Sequence, residues 1–218
     1  MSDHIIEFEF NNQRFTDAAA GIAAFTNTLK GSWEEAAKAL AGEVRDYLNQ
    51  VADALAQRHG GSWPGGTTEI TLSKRSGALT NAILGSVQVS GTVFDQIQGQ
   101  IGAPGIPYAS IQEFGGTIHA KGKLLTIPLP AALDSRGVPL KASAREWKNT
   151  FVAKSKKGNL IIFQKVGSTI IPLYVLKSQV TIPPRLGLGK TIQAGLPYFV
   201  DHAADAVVAA VLKGLNHA

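Results

Sequence analysis

The apolar positions along this chain change period several times, and each change predicts an element. Ile5-Ile6-Glu7-Phe8-Glu9-Phe10 alternates apolar and acidic residues, the period of a half-buried strand. Thr16-Asp17 offers an N-cap to a short helix from Ala18 to Leu29, and Lys30-Gly31 reads as its end. Ser32-Trp33-Glu34-Glu35 then has the form of a capping box. Beyond it Leu40, Val44, Tyr47, Leu48, Val51 and Leu55 recur at three- and four-residue steps, which predicts a long amphipathic helix to about Gln57. Its stripe would serve a core or a neighbouring subunit equally well.

The next stretch, His59 to Gly66, is turn chemistry around Trp63. Ser86-Val87-Gln88-Val89 alternates like a strand, and Val93 to Ile101 can pair with it across Ser90-Gly91. Glu113 and Phe114, followed by Gly115-Gly116, read as a strand end that turns sharply, with the acid in a local or inter-subunit salt link. Short strands are predicted at 124–127, 151–154, 160–165 and 170–176, with Lys156-Lys157-Gly158-Asn159 as a hairpin turn. A last helix is expected from about Pro197, its apolar face carried by Val200, Ala203, Val207, Val208, Val211 and Leu215. No internal repeat or low-complexity segment appears. The order gives an α+β fold: N-terminal helices and a C-terminal helix packed on a mainly antiparallel sheet, with a basic β-rich insertion. The expected division is a core of residues 1–118 and 181–218 and an insertion of residues 119–180.

Composition sharpens this picture at one point. The formal net charge is +5, but Lys121 to Lys190 holds 13 basic residues against Asp134 and Glu146, and the remainder is net acidic. Segregation of that kind points to a face or protrusion that meets something anionic, or simply to a solvated basic surface. The 218 residues suffice for one ordinary domain with its own core. There is no cysteine, hence no disulfide framework, thiolate zinc site or cysteine nucleophile, and a reducing compartment fits. The N-terminus lacks the form of a signal peptide, and no apolar run is expected to approach the roughly 18 to 20 residues of a membrane span.

Motifs for catalysis are sparse. Gly187-Leu188-Gly189-Lys190-Thr191 ends like a phosphate-binding loop, but Pro184 stands where that pattern needs its first glycine, and it has neither the amide nor the conformational freedom. His4, His59, His119, His202 and His217 fall in no metal-ligand spacing. Glu113, Asp134 and Glu146 could in principle pair in a hydrolase site, but no motif joins them. No cofactor is implied and no enzyme is expected. For nucleic acid, Lys154, Lys156, Lys157 and Lys165 interleave with Phe151 and Phe163; the aromatics read more simply as inward core residues beneath a basic face.

Four segments in order carry a resemblance. They are Arg58-His59-Gly60-Gly61-Ser62-Trp63 after a long helix, then Ser76-Gly77-Ala78-Leu79 leading to Ile83-Leu84-Gly85-Ser86-Val87. Pro107-Tyr108-Ala109-Ser110-Ile111-Gln112-Glu113-Phe114-Gly115-Gly116 is the most specific, and Ile182-Pro183-Pro184-Arg185-Leu186-Gly187-Leu188-Gly189 is the last. Together they resemble the phage virion morphogenesis, or tail-completion, family of Mu-like and related tailed phages. Leu186 departs from the family pattern, which has proline there, and the 120–180 insertion is longer and more basic than in short members.

The resemblance implies a structural virion protein of the head–tail junction, a tail terminator in preference to another neck protein. It would form a ring, six copies by family analogy, that caps the tail tube and offers a surface to the filled head. Its implied partners are other copies of itself, the tail-tube protein and a head-proximal neck protein, with non-specific contact to packaged DNA and no membrane. It would be found in the virion, and in the host cytoplasm during assembly. Tyr108, Glu113, Phe114, Gly115, Gly116, Pro184 and Arg185 are the motif and interface candidates. Lys154, Lys156, Lys157 and Lys165 are the candidates for a basic face toward the DNA lumen or an acidic partner. The alternatives are a DNA-binding accessory protein using the basic insertion, and a nucleotide-dependent enzyme resting on Lys190.

Overall fold

The computed structural model describes residues 8–10, 12–15, 17–62 and 67–216. These residues form an α+β fold in which every strand pair is antiparallel. Four helices, α1 (Ala18–Arg58), α2 (Ala78–Leu84), α3 (Ala109–Phe114) and α4 (Leu188–Asn216), accompany ten strands. In place of one sheet there are four, three of two strands and one of four. Two compact units emerge, one of residues 1–53, 84–102 and 190–218 and one of residues 54–83 and 103–189, so the borders differ from those expected at 118 and 181.

The first unit is built on α1 and α4. Asp17 caps α1 as expected, its carboxylate accepting from the Ala19 amide at 2.9 Å. The predicted break at Lys30-Gly31 is absent, and one helix of 41 residues runs through it. Ser32 is therefore not an N-cap; its hydroxyl donates back to the Thr28 carbonyl at 2.9 Å, and Glu35 pairs with Lys38 at 2.6 Å. Packing decides the matter. Ser32, Ala36 and Ala37 are buried, and a Cβ on Gly214 would lie 2.6 Å from the Ser32 hydroxyl, so the two helices touch through small residues. Such burial offsets the roughly 1 kcal/mol that an interior glycine costs a helix.

Farther along, Tyr47 stacks on Phe199 at 4.8 Å, and a Cβ on Gly195 would come within 2.9 Å of the Tyr47 ring. Contacts of residue 32 with 214 and of 47 with 195 set the pair antiparallel. Helix α4 begins nine residues before Pro197, which sits inside it. Proline leaves the Gln193 carbonyl without its helical amide, and the Tyr47 hydroxyl donates to the neighbouring Ile192 carbonyl. The hairpin of β3 (Gln88–Ser90) and β4 (Gln98–Gln100) also belongs here. It is shorter than predicted because residues 94–96 form a 3-10 turn, while Gly99 leaves room for Val44 and Leu48 of α1. The strand expected at 5–10 is seen as β1 (Phe8–Phe10), paired with β2 (Gln13–Phe15); residues 5–7 lie outside the described residues.

The second unit holds the four-stranded sheet in the order β6 (Leu125–Pro128), β9 (Thr169–Lys177), β8 (Leu160–Val166) and β7 (Thr150–Lys154). All four match predicted strands, and the turn after β7 closes by the Gly158 amide bonding the Ser155 carbonyl at 2.8 Å. Ala132, Leu173 and Tyr174 form a buried cluster against which Trp147 and Ile162 pack, and the Trp147 indole donates to the Tyr174 hydroxyl at 3.0 Å. Strands β5 (Gly116–His119) and β10 (Gln179–Ile182) pair where the chain enters and leaves this sheet.

Helix α4 also corrects the expectation about apolar length. Leu188–Leu215 is long and apolar enough, by length and composition, to cross a membrane.

Candidate functional site

The four segments that carry the resemblance are far apart in sequence, and parts of all four meet in the second unit. Helix α3 stands where a strand end was expected, because Ala109–Phe114 closes a helical turn that Gly115 ends at φ 69° and ψ −177°. Its last turn leaves backbone carbonyls without helical partners. That of Gln112 accepts from the amides of both Arg185 and Leu186, at 2.7 and 2.8 Å.

Glu113 completes the exchange. Its two carboxylate oxygens accept from the Leu188 and Gly189 amides at 2.8 and 2.9 Å, so the acid caps α4 from 75 residues away. A carboxylate at a helix N-terminus satisfies orphan donors and complements the helix dipole. The expected salt link is thus replaced by a cap. The same bonds occupy the two amides that a phosphate at Gly187-Leu188-Gly189 would need, which leaves the loop resemblance around Lys190 without its chemistry.

His59, from the first segment, is 4% exposed and bridges two loops. The Leu72 amide donates to Nδ1 at 3.1 Å, and the carbonyl of Leu186, from the last segment, is 2.9 Å from Nε2. A carbonyl can only accept, so the ring is neutral with its proton on Nε2. Burial, the largest cause, holds its pKa below the ordinary 6.5, and the Arg58 charge works in the same direction. Between the folded value and about 6.5 the unfolded chain binds a proton that the native ring refuses. Stability should therefore be full above about pH 6.5 and fall as the pH drops below it. Denaturant melts from pH 8 to pH 5 should show this decline, and His59→Gln should flatten it while lowering stability at pH 8.

Around these bonds lies a cavity of about 530 Å³. Tyr108 and Arg185, both predicted candidates, line it together with Lys74, Arg75, Leu79 and Gln112. The Arg185 Nε donates to the Thr68 carbonyl at 2.9 Å, and the Tyr108 ring is 46% exposed. Among the described residues, none that lines it carries a carboxylate. Pro184 belongs to the cluster structurally: a Cβ on Gly115 would meet its Cδ at 2.8 Å. Gly116 pairs with Ile182 in the β5–β10 ladder. Phe114 stays apart, 80% exposed.

The other candidates do not converge. Lys154 pairs across the sheet with Leu160, whereas Lys165 lies two residues from Phe163, which pairs with Phe151. Cross-strand partners share a face and neighbours along a strand alternate, so Lys154 and Lys165 project from opposite faces. Lys156 and Lys157 stand in the turn at one end of the β7–β8 hairpin. All four are exposed, but they are not one basic face. Phe151 and Phe163 stack at 5.6 Å, yet Phe151 is 40% exposed and so is not the inward core residue that was expected. Asp134 closes its own loop by accepting from the Val138 and Arg136 amides, and these bonds hold its pKa below the ordinary carboxylate value. Glu146 sits in an exposed turn apart from Glu113's cap.

Sequence reasoning missed His59, Gln112 and Lys74. The first two sit within motif segments, which is a signal for importance but not for role. Comparison with models of known families, with curated proteins and with solved structures gives no match to this chain.

Proposed function

We propose that this chain is a structural subunit of the phage head–tail junction, a tail-completion protein that assembles into a ring capping the tail tube and joining it to the head. The observation that carries an assembly role is a ridge on α4. Leu196, Val200, Ala204, Val208 and Leu212 recur every four residues and are all exposed, the large ones at 44 to 57%. Residues at that spacing form the ridge that fits the groove of another helix. Only 6% of the residues in the helix's most apolar stretch are fully buried by the chain itself. An apolar surface of this extent calls for a partner. A bilayer is the poorer cover, since Asp201 and Asp205 sit mid-helix and an aspartate at the bilayer centre costs about 2.5–3.5 kcal/mol.

The resemblance of the four segments names the assembly. Their meeting in one place supports reading them as a single structural unit rather than as chance matches. Further copies of this chain, the tail-tube protein and a head-proximal neck protein are then the partners. The exposed lysines of residues 119–180 would lie near DNA or an acidic neighbour without reading sequence. Cryo-electron microscopy of purified particles is the test. A ring of this chain between tail tube and head is expected; a mature particle lacking the chain would overturn the reading.

A further inference from the structure

We infer that the outer edge of β7 binds strand β1 of a second copy of this chain, so that the sheet of one molecule continues into the N-terminal hairpin of the next. The inference deepens the assembly reading above and rests on its self-association, not on the place of the chain in a virion.

The first argument is an open edge. Strand β7 is the last in its sheet and pairs with β8 alone. Along an antiparallel pair, residues bonded to the partner strand alternate with residues that face away from it. The Lys165 amide bonds the Asn149 carbonyl at 2.9 Å and the Ser155 amide bonds the Asn159 carbonyl at 2.8 Å, so residues 151 and 153 also face β8. The N–H and C=O groups of Thr150, Val152 and Lys154 therefore point outward, and no strand among the described residues pairs with them. All three residues are exposed. The usual protection of an edge is missing, since no proline or bulge interrupts β7 and its first four residues carry no charge. The opposite edge of the sheet, β6, ends in Pro128, which has no N–H to offer.

The second argument selects the occupant. A row of alternating donors and acceptors is matched by another extended backbone, whereas a phosphate diester brings acceptors only. Lys148 before the strand and Lys154, Lys156 and Lys157 at its end repel a second β7 edge. What fits is a strand that alternates apolar and acidic residues, with the acids toward these lysines and the apolar residues beside the exposed Phe151. The chain carries such a segment in Ile5 to Phe10, of which Phe8–Phe10 is β1. Strand β1 pairs with β2 alone, and a two-stranded sheet is marginal by itself. Glu9 makes an exposed ion pair with Arg14 at 3.7 Å, a weak contact that a lysine of another copy can replace. The charges of the two units agree. Residues 1–53, 84–102 and 190–218 hold 6 Lys/Arg against 12 Asp/Glu, and the other unit holds 15 against 4. Opposite units of two copies attract and like units repel, which favours the head-to-tail contact that a ring repeats.

The first test is carbodiimide coupling of the full chain, in an equal mixture of unlabelled and heavy-isotope-labelled protein, read by mass spectrometry. Cross-links from Glu9 of one isotope to Lys154, Lys156 or Lys157 of the other are expected. Val152→Pro removes one outward N–H and no bond to β8, so it should weaken self-association about tenfold in sedimentation runs. Val152→Thr keeps that N–H and should stay near the parent chain. Glu9→Lys, at an exposed position, should weaken association as well, and adding Lys154→Glu should restore part of the loss. Circular dichroism melts control for folding. Assembly unchanged in both Val152→Pro and Glu9→Lys would overturn this contact and leave the assembly reading standing. A parent chain that stays monomeric at every concentration would overturn both, and Glu9 cross-links confined to single chains would make the contact intramolecular and the inference wrong.

Discussion

Gly115→Ala should destabilise the second unit by about 3–5 kcal/mol, the largest loss expected from any single methyl group in that unit. Two causes add. The residue sits at φ 69° with an extended ψ, a combination that side chains with a Cβ avoid. The added carbon would also stand 2.8 Å from Pro184 Cδ and 3.0 Å from the Ile182 carbonyl, a proline ring and a backbone that cannot swing away. Gly158→Ala separates the causes. It shares a positive φ of 78° but meets nothing within 4 Å, so it should cost only about 1–2 kcal/mol. Urea melts at constant m-value measure both. Equal losses at the two glycines would mean that the packing of Pro184 on Gly115 contributes nothing.

Gly115 and Pro184 stood in separate motif segments of the sequence, and their packing on one another was not legible there. The strands of residues 125–177 were legible because each cue is local: period-two alternation, then a turn such as Lys156-Lys157-Gly158-Asn159 whose own amides close it. Helix α1 was misread for the opposite reason. Gly31 followed by Ser32 and Glu35 has the local form of a stop and a new start, yet burial of Ser32 against Gly214 carries the helix through. Local propensity lost to a contact 182 residues away.

The start of α4 failed on the same ground. Nothing adjacent to Leu188 marks an N-cap; the capping oxygens belong to Glu113, and Pro197 offered a more conventional first turn. Glu113 was singled out from its motif, but the salt link assigned to it was the simplest partner a sequence can suggest. Its real partners are amides, which carry no letter of their own. Lys154 and Lys165 show the converse error. Composition grouped them, and strand register put them on opposite faces.

The ridge on α4 carries the second large effect. Val208→Glu and Leu212→Glu should each leave the isolated chain within about 0.5 kcal/mol of its normal stability, because both residues are more than half exposed. In an assembled particle the same substitutions would place an unpaired charge in an apolar helix interface, where desolvation costs several kcal/mol. Association should then weaken by a factor on the order of a hundred or more per contact, and a closed ring repeats the loss at every subunit. Native mass spectrometry at matched concentrations would read the difference as oligomer replaced by monomer, with unchanged melts as the control. Asp201 and Asp205 lie on the same helix, so Asp205→Asn should affect assembly far less than Val208→Glu if apolar packing is what the ridge supplies. Rings that form normally with glutamate at position 208 or 212 would remove α4 from the interface and, with it, the observation on which the assembly reading rests.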